Sequence, residues 1–158
     1  MGTKGGRRWV KKGPPGAGPW SIYYFQRHED DDPTCAVPSR EFLDRCPVKV
    51  QAMMKAVLMA VAAAPPPAFS GGGKWEAMHG DMSGFFEVRV DGPQRHHYRL
   101  FCVLERDGAK VGLAGPSIVV VAGKAKPFRT LLSDADYKQV RALEGEYRRR
   151  PRRSVYGS

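Results

Sequence analysis

Cysteine is scarce in this chain. Cys35, Cys46 and Cys102 are the only three in 158 residues, and no two form a C-x-x-C pair. An odd, widely spaced set argues against a disulfide framework and a structural zinc site, and for a reducing compartment. Long apolar runs are missing too. The longest, Ala56–Ala64, is far too short to span a bilayer. The basic N-terminus continues into Gly/Pro-rich residues where a signal peptide needs an apolar core, so a cytoplasmic location is expected. The acidic run Glu29-Asp-Asp-Asp32 lacks the spacing of a calcium loop and reads as a solvated turn. Gly71-Gly-Gly-Lys74 is followed by Trp75, where a phosphate-binding loop needs Ser or Thr for magnesium, and is rejected as such a loop.

Acids are absent from both ends. Residues 1–19 carry Lys4, Arg7, Arg8, Lys11 and Lys12, and residues 148–158 carry Arg148, Arg149, Arg150, Arg152 and Arg153. Of 26 basic residues these ten leave 16 for residues 20–147, matched by 16 acidic ones, so the net +10 lies in the two ends. The expected organisation is a flexible basic arm over 1–19, one folded domain over 20–147 and a basic tail over 148–158. Cationic tails suit a polyanion, because each phosphate contact releases counterions, and they equally suit plain solubility.

What is present is a set of strand signals. In Phe86–Val90 the apolar Phe86, Val88 and Val90 alternate with Glu87 and Arg89, which gives one buried and one charged face. His97–Leu104 also sets an arginine, Arg99, among apolar residues. Ser117–Ala122 is apolar throughout, as in a strand covered on both sides, and runs into Gly123-Lys-Ala-Lys-Pro-Phe-Arg129, expected as a cationic loop. Trp20–Phe25 reads as a first strand. Ser39 is expected to cap a short helix through Arg45. Pro47 opens a second helix to about Ala64, in which Val50, Met53, Met54, Val57, Leu58 and Val61 form one apolar face. Ser133 and Asp136 are spaced as a capping box for a last helix. The order β-α-α-β-β-β-α predicts an α+β domain. It has a mostly antiparallel four-stranded sheet, two N-terminal helices on one face and a C-terminal helix.

These residues resemble the RelE/HigB superfamily of bacterial and phage toxins, particularly its phage-derived HigB-like branch. The resemblance rests on Ser83-Gly-Phe-Phe-Glu-Val-Arg89 entering a strand, on Tyr98-Arg-Leu-Phe101, and on Gly123-Lys-Ala-Lys-Pro127 after a buried strand. A closing Arg/Tyr-rich helix over Asp134–Arg150 and, more loosely, Glu41-Phe-Leu43 complete it, covering roughly residues 20–150. It implies a RelE-like fold and a toxin of a type II toxin–antitoxin system. The implied activity is metal-free, ribosome-dependent mRNA cleavage with the 2′-hydroxyl as nucleophile, needing no cofactor. The implied partners are mRNA on the ribosome and a cognate antitoxin, typically a helix-turn-helix protein.

Such chemistry needs a base for the hydroxyl proton, an acid for the leaving 5′-oxygen and cations on the phosphoryl oxygens. By resemblance Arg99 takes the last role, its fork suited to phosphate; its alternative is a cross-strand pair with Glu87. Arg99 is expected on the open face, where its removal leaves the fold intact. Lys126 matches a catalytic or gripping lysine of the family. Glu87, His79 and His97 are candidate proton carriers. Arg89, Lys124, Arg129 and Tyr137 are candidate RNA contacts, with a solvated strand face or core packing as the bland alternatives. The absence of a lysine pair on the Glu87/Arg89 strand keeps a second reading open: a non-catalytic ribosome or nucleic-acid binder, or a ParE-like gyrase inhibitor of the same fold.

Overall fold

Six strands lie in the order β2-β3-β4-β5-β1-β6. They were traced in a computed structural model, which describes residues 19–64 and 73–157. Nearly all of the expected arm over 1–19, and most of the Gly71–Gly73 loop, lie outside the described residues. The strands are β1 (Ser21–Phe25), β2 (Trp75–Ala77), β3 (Phe86–Gly92), β4 (His96–Glu105), β5 (Ser117–Pro127) and β6 (Val155–Gly157). The helices are α1 (Pro38–Arg45), α2 (Val48–Ala63) and α3 (Asp134–Arg148). The α+β class holds, but the sheet has six strands rather than four. It is also mixed, because β1 runs parallel to β5 while the other pairings are antiparallel. No helix among the described residues is long and apolar enough to cross a membrane.

The continuous apolar run of β5 has the explanation its sequence suggests. Ile118 and Val120 point into a core with Val50, Met54, Leu58 and Val61 of α2. Val119 and Val121 point the other way, toward Val140 and Tyr147 of α3. The helices therefore cover both faces, two on one side and one on the other. The capping box is formed: the Asp136 amide donates to Ser133 Oγ while the Ser133 amide donates to Asp136 Oδ2. Ser39, by contrast, is not a cap. It lies inside the first turn of α1, buried, and its hydroxyl donates to the Val120 carbonyl on β5. Met53 also departs from the expected inner face of α2 and points outward.

The C-terminal basic residues are fastened to the body instead of trailing as a tail. Glu105 at the end of β4 accepts at one oxygen from the Tyr147 hydroxyl (2.8 Å), Arg153 Nε (3.0 Å) and Arg148 Nη1 (3.1 Å). Arg149 and Arg150 each donate to Asp31 at 3.0 Å, so the acidic run is ion-paired rather than merely solvated. Strand β6 then pairs with β1, Val155 opposite Phe25. The acids that neutralise this end are far away in sequence, which is why a count along the chain leaves them out.

Gly123 is required by packing. A Cβ on Gly123 would lie 2.1 Å from the Phe42 ring of α1. Gly123→Ala should therefore destabilise the protein by about 1–3 kcal/mol. Gly145 in α3 has nothing within 4 Å of the same position, and Gly145→Ala should stabilise by about 0.5–1 kcal/mol through helix propensity. Urea unfolding of the two variants checks the opposite signs.

Candidate active site

The β3–β4 hairpin turns at Pro93–Arg95, where Gln94 and Arg95 take left-handed φ of 61° and 57°. That turn fixes the register: Glu87 opposite Phe101, Arg89 opposite Arg99 and Asp91 opposite His97. On the far side of β4, Arg99 faces Lys124 and His97 faces Lys126. The expected cationic loop is thus the second half of β5, and its lysines are ladder residues. Directly opposed residues on neighbouring strands project to the same face. Arg89, Arg99 and Lys124 therefore form one row across three strands, with Asp91, His97 and Lys126 in the next.

An irregularity in β5 makes this possible. Cys102 pairs with Val120, yet Phe101 pairs with Ala122, leaving Val121 as an extra residue. Strict alternation from Ile118 and Val120 would send Lys124 and Lys126 toward α1 and α2. The bulge reverses the parity beyond it, as such features do beside functional sites. Gly123 now meets Phe42, and both lysines join the charged face.

Only part of that face is roofed. Helix α3 covers Phe101 and the valines, with Tyr137 edge-on to Phe101 at 6.1 Å between centroids. Beyond Tyr137 a cleft of about 320 Å³ opens over Arg89, Asp91, His97 and Arg99, with Glu76 and Met53 on its rim. Arg99 is 6% exposed, so it is a buried cation and not the open-face residue expected. Among the described residues its hydrogen bond is to the Tyr98 carbonyl (3.2 Å), and its Nε stands 3.8 Å from Glu87 Oε2. This diagonal contact is too long for a hydrogen bond. Burial lowers the Arg99 pKa, opposed by Glu87.

Two neighbouring groups are pushed toward each other. Burial raises the Glu87 carboxyl above its ordinary value, against the pull of Arg99 and Arg89. Burial, then the Arg99 and Arg89 charges, lower the Lys126 ammonium despite Glu87. His97 is held on two sides: Nδ1 lies 2.5 Å from Asp91 Oδ1 and its ring packs 4.4 Å from Phe128. The hydrogen bond with His97 also keeps the Asp91 carboxyl below its usual range. Arg89 donates to Glu76 at 2.8 Å. Lys124 turns to α3, bonded to Gln139 and 3.7 Å from Asp136.

Seven of the nine sequence candidates are therefore on or beside one face: Arg99, Lys126, Glu87, His97, Arg89, Lys124 and the flanking Tyr137. His79 is not among them. It lines a separate cleft of about 520 Å³ between the β2–β3 loop and α3, with Asp81, Tyr137 and Arg141. Arg129 is exposed in the turn after β5 at φ 66°. Sequence reasoning did not single out Asp91, Phe128 or Glu76. Counting both strands outward from Gln94 would have placed Asp91 against His97.

No family model matches the chain, and no curated protein matches it. Among solved structures it is similar to the toxin–antitoxin complex RelBE2 from Mycobacterium tuberculosis, at 13% identity and a TM-score of 0.43, over 69% of this chain and 93% of that one.

Proposed function

We propose that the chain is a RelE-type toxin that cleaves mRNA on the ribosome by general acid–base catalysis. The observation that carries this is the row Arg89, Arg99 and Lys124 beside Glu87 and Lys126, whose pKa values are drawn together. A carboxyl raised and an ammonium lowered by burial both move toward the operating pH, where a general base and a general acid work best. Glu87 as carboxylate takes the proton of the 2′-hydroxyl, and that oxygen attacks phosphorus. Lys126 protonates the departing 5′-oxygen, leaving a 2′,3′-cyclic phosphate and a free 5′-hydroxyl. Arg99 and Arg89 hold the phosphoryl oxygens, Arg99 with donor capacity its protein partners do not use up. His97, its Nδ1 engaged by Asp91, keeps Nε2 for the substrate. An antitoxin that silences the activity belongs to the same reading.

The test is to add the protein to translating ribosomes and map RNA ends. New 5′-hydroxyl and cyclic-phosphate ends within codons support the proposal. Tight RNA or ribosome binding without new ends would instead make the face a non-catalytic phosphate surface.

Glu87 also yields a prediction with two opposite readouts. Glu87→Gln should lower cleavage by roughly 10²–10⁴-fold. The raised folded-state pKa means that the carboxyl's stabilising contribution is full below its unfolded value and is lost as pH rises through the folded one. At neutral pH the ionised group is therefore a net cost, and the melting temperature of the unaltered protein should fall as pH rises through that folded value, while cleavage rises. Cleavage by the unaltered protein should rise with pH as Glu87 ionises and fall as Lys126 deprotonates, the second limb disappearing in Lys126→Gln. Rate–pH profiles with thermal unfolding check all three.

A further inference from the structure

We infer that the cleft between the β2–β3 loop and α3 is a binding site for a guanine nucleotide, taken either alone or as one residue of an RNA strand. The site itself does not rest on the proposed function; its use by the cleaved strand does.

The cleft holds about 520 Å³, within the usual size of a small-ligand site. Met78 and Met82 give it polarisable apolar surface, and Tyr137 adds a ring on which a base can stack. Charges of both signs surround this surface. Asp81 comes from the turn between β2 and β3 and Asp134 from the start of α3, while Lys138 and Arg141 follow along α3. Yet none of these acids is paired with a cation among the described residues. Elsewhere the chain matches its charges closely: Asp31 with Arg149 and Arg150, Glu146 with Arg27. Arg141 is half-buried, and its hydrogen bond goes to the Met82 sulfur at 3.6 Å, a weak acceptor. Most of its donors are therefore unused. The half-buried Tyr137 hydroxyl likewise has no hydrogen-bond partner among the described residues.

Opposite charges held apart across an apolar surface call for a flat ligand with donors on one edge and acceptors on another. Guanine has both. Its N1–H and 2-amino group are neighbouring donors, spaced for the two oxygens of one carboxylate. Adenine and cytosine set one amine beside an acceptor nitrogen, and uracil has one N–H between two acceptors. The guanine O6 and N7 are adjacent acceptors that an arginine fork takes bidentately. Asp81 and Asp134 are the carboxylates for the first edge, Arg141 is the fork for the second, and Lys138 suits a phosphate. Tyr137 also meets Phe101 on the charged face, and its hydroxyl is near enough to Glu87 and Arg99 for both charges to act on it. A strand with a guanine in the cleft therefore has its next phosphate within reach of the cation row.

The probes are GMP, AMP, CMP and UMP, with inosine 5′-monophosphate as GMP stripped of its 2-amino group. Each is titrated into the full chain by isothermal calorimetry. GMP should bind at least about tenfold more tightly than AMP, CMP or UMP, and more tightly than the inosine nucleotide. Changing Asp81→Asn and Asp134→Asn together should erase the preference for GMP over the inosine nucleotide. Arg141→Lys, which keeps the charge and loses the fork, should weaken GMP by at least about tenfold. Both aspartates are exposed, so an unchanged melting temperature establishes that the fold is kept. Equal binding of the nucleotides, no GMP binding at millimolar concentration, or an undiminished preference in the double aspartate variant overturns the inference. Oligouridine with and without one internal guanosine then separates the two sources. Tighter binding of the guanosine strand, displaced by GMP and weakened by Arg99→Lys, upholds the site as one for a base of the strand. GMP binding with no discrimination between the strands upholds it for the mononucleotide alone. Cleavage of RNA without GMP binding overturns the inference and leaves the proposed function standing; GMP binding without cleavage does the reverse.

Discussion

Arg99→Lys is expected to reduce RNA cleavage by roughly 10²–10³-fold while the protein stays folded. Lysine keeps the charge that faces Glu87 but loses the planar fork, and a single ammonium cannot hold two phosphoryl oxygens at fixed spacing. Arg99→Ala is a poorer variant for this purpose. The side chain is buried with Glu87, and deleting it leaves a half-buried carboxylate with Arg89 3.7 Å away as its remaining close cation. Loss of activity would then be mixed with loss of stability. Single-turnover cleavage on programmed ribosomes, run beside thermal unfolding, separates the two. A folded Arg99→Lys variant that cuts at the original rate would remove Arg99 from the mechanism.

Glu105→Ala should have the largest effect on stability, about 3–5 kcal/mol. Three donors converge on one carboxylate oxygen there, from Tyr147, Arg148 and Arg153. Alanine would strand the fully buried Tyr147 hydroxyl and a largely buried guanidinium. The loss should be local first: amides of the segment after α3, including β6, exchange faster with solvent than those of β4 and β5. Glu105→Gln, which keeps an acceptor, should lose less. Hydrogen exchange with urea titration measures both, and an Ala variant as stable as the parent would show the three donors to be dispensable.

Local pattern made much of this fold legible. The alternation of Phe86, Val88 and Val90 with Glu87 and Arg89 gives β3 and its charged face, and Ser133 with Asp136 gives the start of α3. What could not be read depends on partners distant along the chain. Strand β2 has three residues and exists because Trp75 stacks on Phe86, 5.1 Å between centroids. Strand β6 sits inside an arginine-rich stretch that resembles a tail until Asp31 and Glu105 are brought to it. Of the candidate site, strand parity put Glu87 and Arg89 on the charged face, and the family resemblance pointed to Arg99. The lysines of β5 were assigned to a loop, because nothing local announces the bulge at Val121. The burial of Arg99 was not visible either, since it depends on the side chains that β3 and β5 bring up on both sides of it.

The placement of β1 has a consequence for how the chain reaches its native state. Among the described strands it is the first to be synthesised, yet its neighbours are β5 and β6, with Ser21 beside Ser117 and Phe25 beside Val155. At about 5–20 residues per second a ribosome needs roughly 5–20 s to deliver β5 after β1. Until then Tyr24 and Phe25 have no sheet to join. The local β3–β4 hairpin can form early, whereas the central position beside β5 must be filled by a segment that has waited through most of translation. Folding should therefore finish with the N-terminal strand, and a refolding experiment should show the Tyr23–Phe25 amides protected after those of β3 and β4. Maturation is thus timed by the delivery of β5 and β6, and a nascent chain stalled before β5 would hold the hairpin of the charged face without the strand that carries its lysines.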